Sequence, residues 1–123
     1  MKNEGLTERI IVAAIEVHRN LGPGLLESAY EECLCRELSE AGLHFERQRE
    51  LPILYKGSTL NTTFKPDLII SGEVIVELKA VEVIIKVHEA QLLTYLKLSG
   101  LTVGLLLNFN VVMMRDGMRR FVR

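Results

Sequence analysis

Apolar residues recur with helical spacing along the N-terminal part of the chain. They predict a first helix from about Thr7, a candidate N-cap, to Leu21. Its apolar stripe consists of Ile10, Ile11, Ala14, Ile15, His18 and Leu21. A second helix is predicted from about Leu25 to Gly42, with a buried face made of Leu26, Ala29, Tyr30, Cys33, Leu34, Leu38 and Ala41. The glycines and proline of Asn20–Gly24 separate the two helices.

After Gly42 the hydrophobic pattern becomes that of β-strands. His44–Tyr55 and Thr59–Ile70 each predict one long strand, although Pro66 limits the pairing of the second. Val74–Val81 is nearly all apolar, which predicts a strand that is buried on both faces.

The C-terminal part alternates between helix and strand. Lys86–Ser99 predicts a third helix that stops at Gly100, and Leu101–Asn108 predicts another buried strand. Because strand, helix and strand follow one another, we expect a right-handed parallel crossover. Asp116-Gly117 is a turn before a last strand, Met118–Val122. The order α-α-β-β-β-α-β-β predicts a mixed α/β fold, with a mixed sheet flanked by helices.

The composition is that of a globular protein. A chain of 123 residues with 48% hydrophobic and 25% charged residues excludes intrinsic disorder and predicts a single domain, residues 1–123. No apolar run approaches the roughly 18 residues of a membrane span, and the N-terminus lacks the apolar core of a signal peptide. We therefore expect a cytoplasmic protein with no membrane partner. Cys33 and Cys35 point to nearly opposite sides of the second helix, so we expect reduced thiols rather than zinc ligands.

The net charge of −1 hides an uneven distribution. Residues 1–46 carry 4 basic and 9 acidic side chains, whereas residues 47–123 carry 11 basic and 7 acidic ones. Strong nonspecific binding of DNA is therefore not expected. A local phosphate-binding surface in the C-terminal part is compatible with this pattern.

Glu77 and Lys79 are charged residues within the most apolar strand. Burial of an isolated charge is expensive, so both should be paired, bound to an ion or placed at the open end of the strand. The period of two puts them on one face. If the loop between the two strands has an odd number of residues, such as Ser71–Glu73, Asp67 lies opposite Glu77. A loop with an even number of residues would put the two carboxylates on opposite faces.

In the first of these registers, two carboxylates and one ammonium group converge. Carboxylate oxygens suit Mg²⁺ or Mn²⁺, and Lys79 would orient or deprotonate a water, or neutralise a phosphate. The third helix adds His88, Gln91 and Tyr95 on one face. Glu27 is a further candidate, although its charge also suits the N-terminus of the second helix.

Three motifs in this order resemble the PD-(D/E)XK nuclease superfamily. They are Pro66-Asp67, Glu77-Leu78-Lys79 and Gln91-Leu92-Leu93-Thr94-Tyr95, the last of which is similar to the Gln-x-x-x-Tyr element of the exonuclease-like branch. More narrowly, Gly24-Leu25-Leu26-Glu27-Ser28-Ala29-Tyr30 looks like the signature of the GxxExxY protein family. The flanking Asn20–Gly24 and the run His88–Leu93 add to this resemblance, which extends from the first helix to Phe109.

The resemblance implies a restriction-endonuclease-like core that hydrolyses phosphodiester bonds of nucleic acid, DNA rather than RNA. It implies that Asp67, Glu77, the backbone carbonyl of Leu78 and Glu27 bind Mg²⁺ (or Mn²⁺). Lys79 would position the attacking water and stabilise charge on the phosphate. By the same resemblance, Gln91 and Tyr95 would hold Lys79 and the scissile phosphate in place.

Two alternatives from other classes stay open. The sequence has no zinc-ligand set and no helix-turn-helix signature for reading DNA, so one alternative is an inactive nuclease-fold module that binds nucleic acid or a protein partner. In the other, the carboxylates and Lys79 form a structural ion-pair cluster in a homodimer, whose interface is the apolar segment Val111–Met114. For a nuclease, 123 residues leave little beyond the core, so we expect a partner or a second subunit to choose the target.

Overall fold

The computed structural model describes residues 4–123, which form three α-helices, seven β-strands and one 3₁₀ helix. The helices are α1 (Glu4–Leu21), α2 (Glu27–Glu40) and α3 (Lys86–Ser99). The strands are β1 (Phe45–Arg47), β2 (Leu51–Tyr55), β3 (Ser58–Phe64), β4 (Leu68–Ile70), β5 (Val74–Lys79), β6 (Val103–Asn108) and β7 (Met118–Val122). The 3₁₀ helix, Met114–Gly117, lies directly before β7.

Five strands form a mixed sheet in the order β1-β4-β5-β6-β7. The β5–β6 pair, whose strands are joined through α3, is parallel, and the other three pairs are antiparallel. This arrangement confirms the predicted mixed α/β fold and the parallel crossover. The predicted bounds of α3 and β7 are also confirmed, and α3 ends where Gly100 takes up a left-handed conformation with φ 77°.

Two predicted long strands are wrong, because each is divided in the structure. The chain over His44–Tyr55 forms β1 and β2, and the chain over Thr59–Ile70 forms β3 and β4. The strands β2 and β3 pair with each other in a separate two-stranded sheet. The central sheet therefore receives a short strand from each predicted long one, and a hairpin lies between them along the chain.

Some local expectations for the first two helices are also corrected. Thr7 is not an N-cap, because α1 already begins at Glu4 and Thr7 is buried within it. In α2, Leu26 and Ala41 are exposed at the ends, and Cys35 is more deeply buried than Cys33. Both cysteines are free thiols, as expected. None of the helices in the described range combines the length and apolar character needed to cross a bilayer.

The two faces of the sheet pack against different helices. The larger apolar cluster joins α1 and α2 to one face, where β5 contributes Val74, Val76 and Leu78. On the other face, a smaller cluster consists of Ile69, Ile75, Leu92, Leu96 and Leu106. There α3 lies very close to β6, since a Cβ atom on Gly104 would be 2.8 Å from Cδ1 of Leu92. Alternate residues of β5 consequently face two different environments.

Candidate functional site

The hairpin of β4 and β5 sets the register of the candidate site. Ile69 pairs with Ile75, and the connecting loop is the three-residue segment Ser71–Glu73. Ser71 and Gly72 both have positive φ, which allows this tight connection. One residue beyond the last pair, Asp67 lies opposite Glu77. The register that brings the two carboxylates together is therefore the one observed.

The carboxylates of Asp67 and Glu77 each accept a hydrogen bond from the backbone on the other side of the hairpin. The amide N–H of Asp67 donates to Oε2 of Glu77 at 2.6 Å. In return, Oδ2 of Asp67 accepts a hydrogen bond of 2.8 Å from the amide N–H of Leu78. These two bonds hold both carboxylates at the open end of the β4–β5 hairpin, just before the first residue of β4.

Burial makes ionisation of Glu77 unfavourable. The residue is only 4% exposed. Burial, and after it the neighbouring negative charge of Asp67, raise the pKa of its carboxyl group to about 8. The hydrogen bond from Asp67 N–H and the positive charge of Lys79 oppose this rise without cancelling it. A cation bound beside the two carboxylates would reduce this free-energy cost of ionisation.

Lys79 and Glu27 lie at the carboxyl end of β5. Lys79 is half-buried and shares the α3 face of the strand with Glu77. Glu27 is exposed in the first turn of α2, and its Oε2 accepts a hydrogen bond of 3.3 Å from the amide of Ala80. This contact attaches the start of α2 to the end of β5. Both side chains are near enough for their charges to affect the pKa of Glu77.

The helix α3 brings Tyr95 to the carboxylates. Burial raises the pKa of its hydroxyl, and the negative charges of Glu77 and Asp67 contribute to this rise. The Tyr95 ring packs against Phe64, with 5.0 Å between ring centroids. Gln91 lies one turn earlier on α3 and is exposed. His88 has a different role, since its Nδ1 accepts a hydrogen bond from the amide of Ile85 at the start of the helix.

Gln48 is a member of this site that the sequence did not reveal. It follows β1 in a left-handed conformation with φ 49°, and its amide N–H donates to the backbone carbonyl of Asp67. Its side-chain Nε2 donates to Oδ1 of Asp67 at 3.1 Å and to Oε1 of Glu31 at 3.0 Å. Arg47 forms an ion pair with the same Glu31 carboxylate. Gln48, in the segment between β1 and β2, thus binds the second carboxylate oxygen of Asp67, Oδ1, and holds the side chain in place.

Asn108 was also missed as part of this region. It is the buried last residue of β6, and its side-chain Oδ1 and Nδ2 bond to the N–H and carbonyl of Val81. Its Oδ1 also accepts from the amide of Asn110. A buried polar residue at the end of an apolar strand is the signal that could have identified it. The side chain holds the backbone just after β5.

The oxygen atoms around Asp67 and Glu77 suit a hard divalent cation. The carbonyl of Lys79 accepts from the amide of Phe109, on the β6 side of β5. Because successive peptide groups of a strand alternate in direction, the carbonyl of Leu78 points the opposite way, to the side on which its N–H bonds to Asp67. Two carboxylates and one carbonyl are oxygen ligands of the kind that Mg²⁺ and Mn²⁺ prefer. Within residues 4–123, however, no three His, Cys, Asp or Glu side chains are close enough together to hold a metal by themselves.

Comparison with known proteins gives one match. A family model described as the PD-(D/E)XK nuclease superfamily matches residues 4–121, nearly the whole chain. No curated protein and no solved structure matches the sequence. The mixed sheet flanked by helices is consistent with the restriction-endonuclease-like fold of that family.

Proposed function

This chain belongs to the PD-(D/E)XK nuclease superfamily, and we propose that it hydrolyses phosphodiester bonds of nucleic acid at the Asp67–Glu77 site. The observation that carries the proposal is the pair of reciprocally bound carboxylates, one of which is buried with a raised pKa. Such a pair is costly to keep charged, and pKa values perturbed in this way are typical of functional sites. A bound divalent cation would compensate the negative charge of the two carboxylates.

We assign the cation, Mg²⁺ or Mn²⁺, to Asp67, Glu77 and the carbonyl of Leu78. Glu27 would complete the ligand set by moving closer when the cation binds, because in this structure it does not form a metal-binding group with the other two carboxylates. When bound, the cation would neutralise charge on the phosphate and lower the pKa of a water. The contact of Glu27 with Ala80 supports its place, because it puts this carboxylate at the same end of β5. Glu27 belongs to the segment Gly24–Tyr30, and the resemblance of this segment to the GxxExxY signature is the basis on which we propose that narrower family.

The chain's own groups would position the reactants. Lys79 shares a face with Glu77, so its ammonium group would orient the attacking water and stabilise the charge that develops on the phosphate. Gln48 would keep Asp67 in place through the bond to Oδ1. Tyr95 and Gln91, on α3, would hold Lys79 and the scissile phosphate. DNA is the substrate we favour over RNA.

The test is a cleavage assay with labelled single- and double-stranded DNA and RNA, in Mg²⁺, in Mn²⁺ and with a chelator. We expect metal-dependent cleavage that falls by about 100-fold or more in Asp67→Asn and in Lys79→Ala, since each removes a charge that acts on the transition state. Glu73→Gln and Lys86→Ala are matched controls, because both side chains are exposed outside the site. Both controls should cleave as the wild type does.

The outcomes of this assay separate the candidate functions. Cleavage that survives both Asp67→Asn and Lys79→Ala would reject the site. Binding of nucleic acid with no metal-dependent product would instead identify an inactive nuclease-fold module. Circular dichroism of each variant shows whether a loss of activity reflects loss of the fold.

A further inference from the structure

The helix α1 is apolar on two opposite faces. Its core face carries buried residues such as Ile10, Ala14 and Val17. On the opposite face, Val12 is 66% exposed and Ile15 is 43% exposed. A helix that packs on one side only is expected to be polar on the other. The second apolar face therefore indicates a contact beyond the single chain.

The exposed face has a charge pattern that complements itself. Glu8, Val12, Ile15 and Arg19 are separated by four, three and four residues, so they form one stripe along α1. An acidic residue stands at one end of this stripe and a basic residue at the other. If a second α1 lies antiparallel across a two-fold axis, Glu8 faces Arg19 at both ends. In the middle, Val12 faces Ile15 twice.

A neighbouring segment widens this apolar surface. Val112 is 87% exposed and Met113 is 50% exposed, and both line a groove with Ile15. The segment is held in place, because His18 Nε2 hydrogen-bonds to the carbonyl of Val111 at 2.7 Å and the adjacent Met114 is buried. The surface is thus preformed, which reduces the entropic cost of binding.

We propose that α1 and the segment Val112–Met113 bind a second copy of this chain, through antiparallel pairing of the two α1 helices. A two-fold contact uses the same patch on both subunits, and the stripe is self-complementary in that sense. Within one chain Arg19 pairs with Glu16 at 2.5 Å, but the Arg19 side chain is 72% exposed. A surface ion pair of this kind contributes little, so Arg19 is available to the partner's carboxylate.

The test exploits the two charges at the ends of the stripe. Sedimentation velocity at low salt over a range of concentrations should show a reversible dimer for the wild type. Glu8→Arg and Arg19→Glu should each raise the dissociation constant by about tenfold or more, because each variant places like charges opposite each other at both ends of its own dimer. An equimolar mixture of the two variants should dimerise again, since every end then joins opposite charges.

Arg36→Glu is the matched control. Arg36 is exposed on α2 and pairs with Glu40, so its reversal changes the net charge equally without touching the stripe. It should dimerise as the wild type does. A wild type that stays monomeric throughout, an Arg19→Glu variant that dimerises normally, or a mixture that stays monomeric would each overturn the proposal. Thermal unfolding of the single variants checks that they are folded.

Discussion

The two faces of the central sheet differ in the kind of side chain that they carry, although β5 contributes to both. Toward α1 and α2, β5 contributes Val76 and Leu78 to a large apolar cluster. Toward α3, the same stretch contributes Glu77 and Lys79. One face is thus devoted to packing and the other combines packing with charge. Alternation along a single strand is enough to keep an apolar layer separate from a charged one.

The α3 face is itself divided along the strand. Near the start of β5, Ile75 packs with Leu92 and Leu96 of α3. Toward the end of β5 the apolar cluster stops and the carboxylates begin. The charged groups therefore lie beside a small hydrophobic cluster that anchors α3, and a change in one part of this face is expected to affect the other.

The largest effect on stability is expected on the α1–α2 face. Leu105 of β6 is buried in the larger cluster, so Leu105→Ala should lower the free energy of unfolding by about 2–5 kcal/mol. Leu54→Ala, at an exposed position of β2, should change it by less than about 0.5 kcal/mol. Urea denaturation measures both. Equal effects of the two substitutions would contradict the proposed role of this face.

On the α3 face, Glu77→Gln should abolish cleavage and increase the stability of the fold. Because its pKa is about 8 in the folded protein and 4.5 in an ordinary glutamate carboxyl group, the folded state binds the proton more tightly than the unfolded state. The stabilisation from the protonated form is complete below about pH 4.5 and is lost as the pH rises through 8. Relative to wild type, Glu77→Gln should therefore become more stable between pH 5 and 8, by on the order of 1–3 kcal/mol, and should not cleave.

Melting temperatures between pH 5 and 9, with and without Mg²⁺, measure this difference. Mg²⁺ should raise the melting temperature of the wild type at pH 8 and leave that of Glu77→Gln nearly unchanged, because the cation replaces the proton. Parallel pH profiles for the two proteins would show that Glu77 is not the buried acid inferred from the structure.

Effects smaller than that of Leu105→Ala are expected where α3 meets the sheet. Gly104→Ala would force Leu92 to move, which should cost roughly 1–3 kcal/mol and displace the helix that carries Tyr95. Gly5→Ala is the matched control in α1, where a new Cβ meets nothing within 4 Å. It should stabilise the protein by roughly 0.5 kcal/mol. Thermal unfolding and the cleavage assay distinguish them, and equal destabilisation by both would contradict the close packing of α3.

Local sequence signals predicted the parts of the fold that depend on local interactions. The period of α3 and its glycine stop determine the helix, and the three-residue loop Ser71–Glu73 determines which residue lies opposite Glu77. The juxtaposition of Asp67 and Glu77 could therefore be predicted from the chain alone. Their roles as metal ligands, and those of Lys79, Gln91 and Tyr95, stay predictions.

The parts that could not be predicted depend on contacts between distant residues. Gln48 breaks the expected strand because its backbone turns to bond with Asp67, and no pattern within His44–Tyr55 marks that turn. The two-stranded sheet of β2 and β3 follows from the same break. Leu26 and Ala41 continue the apolar period of α2, which predicts burial, but they are exposed at the ends of the helix.

The side chain of Asn108 replaces a backbone partner at the end of the sheet. It offers Val81 one acceptor and one donor, which are the two groups that a neighbouring peptide unit would have offered. The chain after β5 can therefore turn away from β6 without leaving its own polar groups unpaired. One buried amide thus completes the hydrogen bonding at the carboxyl ends of β5 and β6, where the backbone ladder has ended.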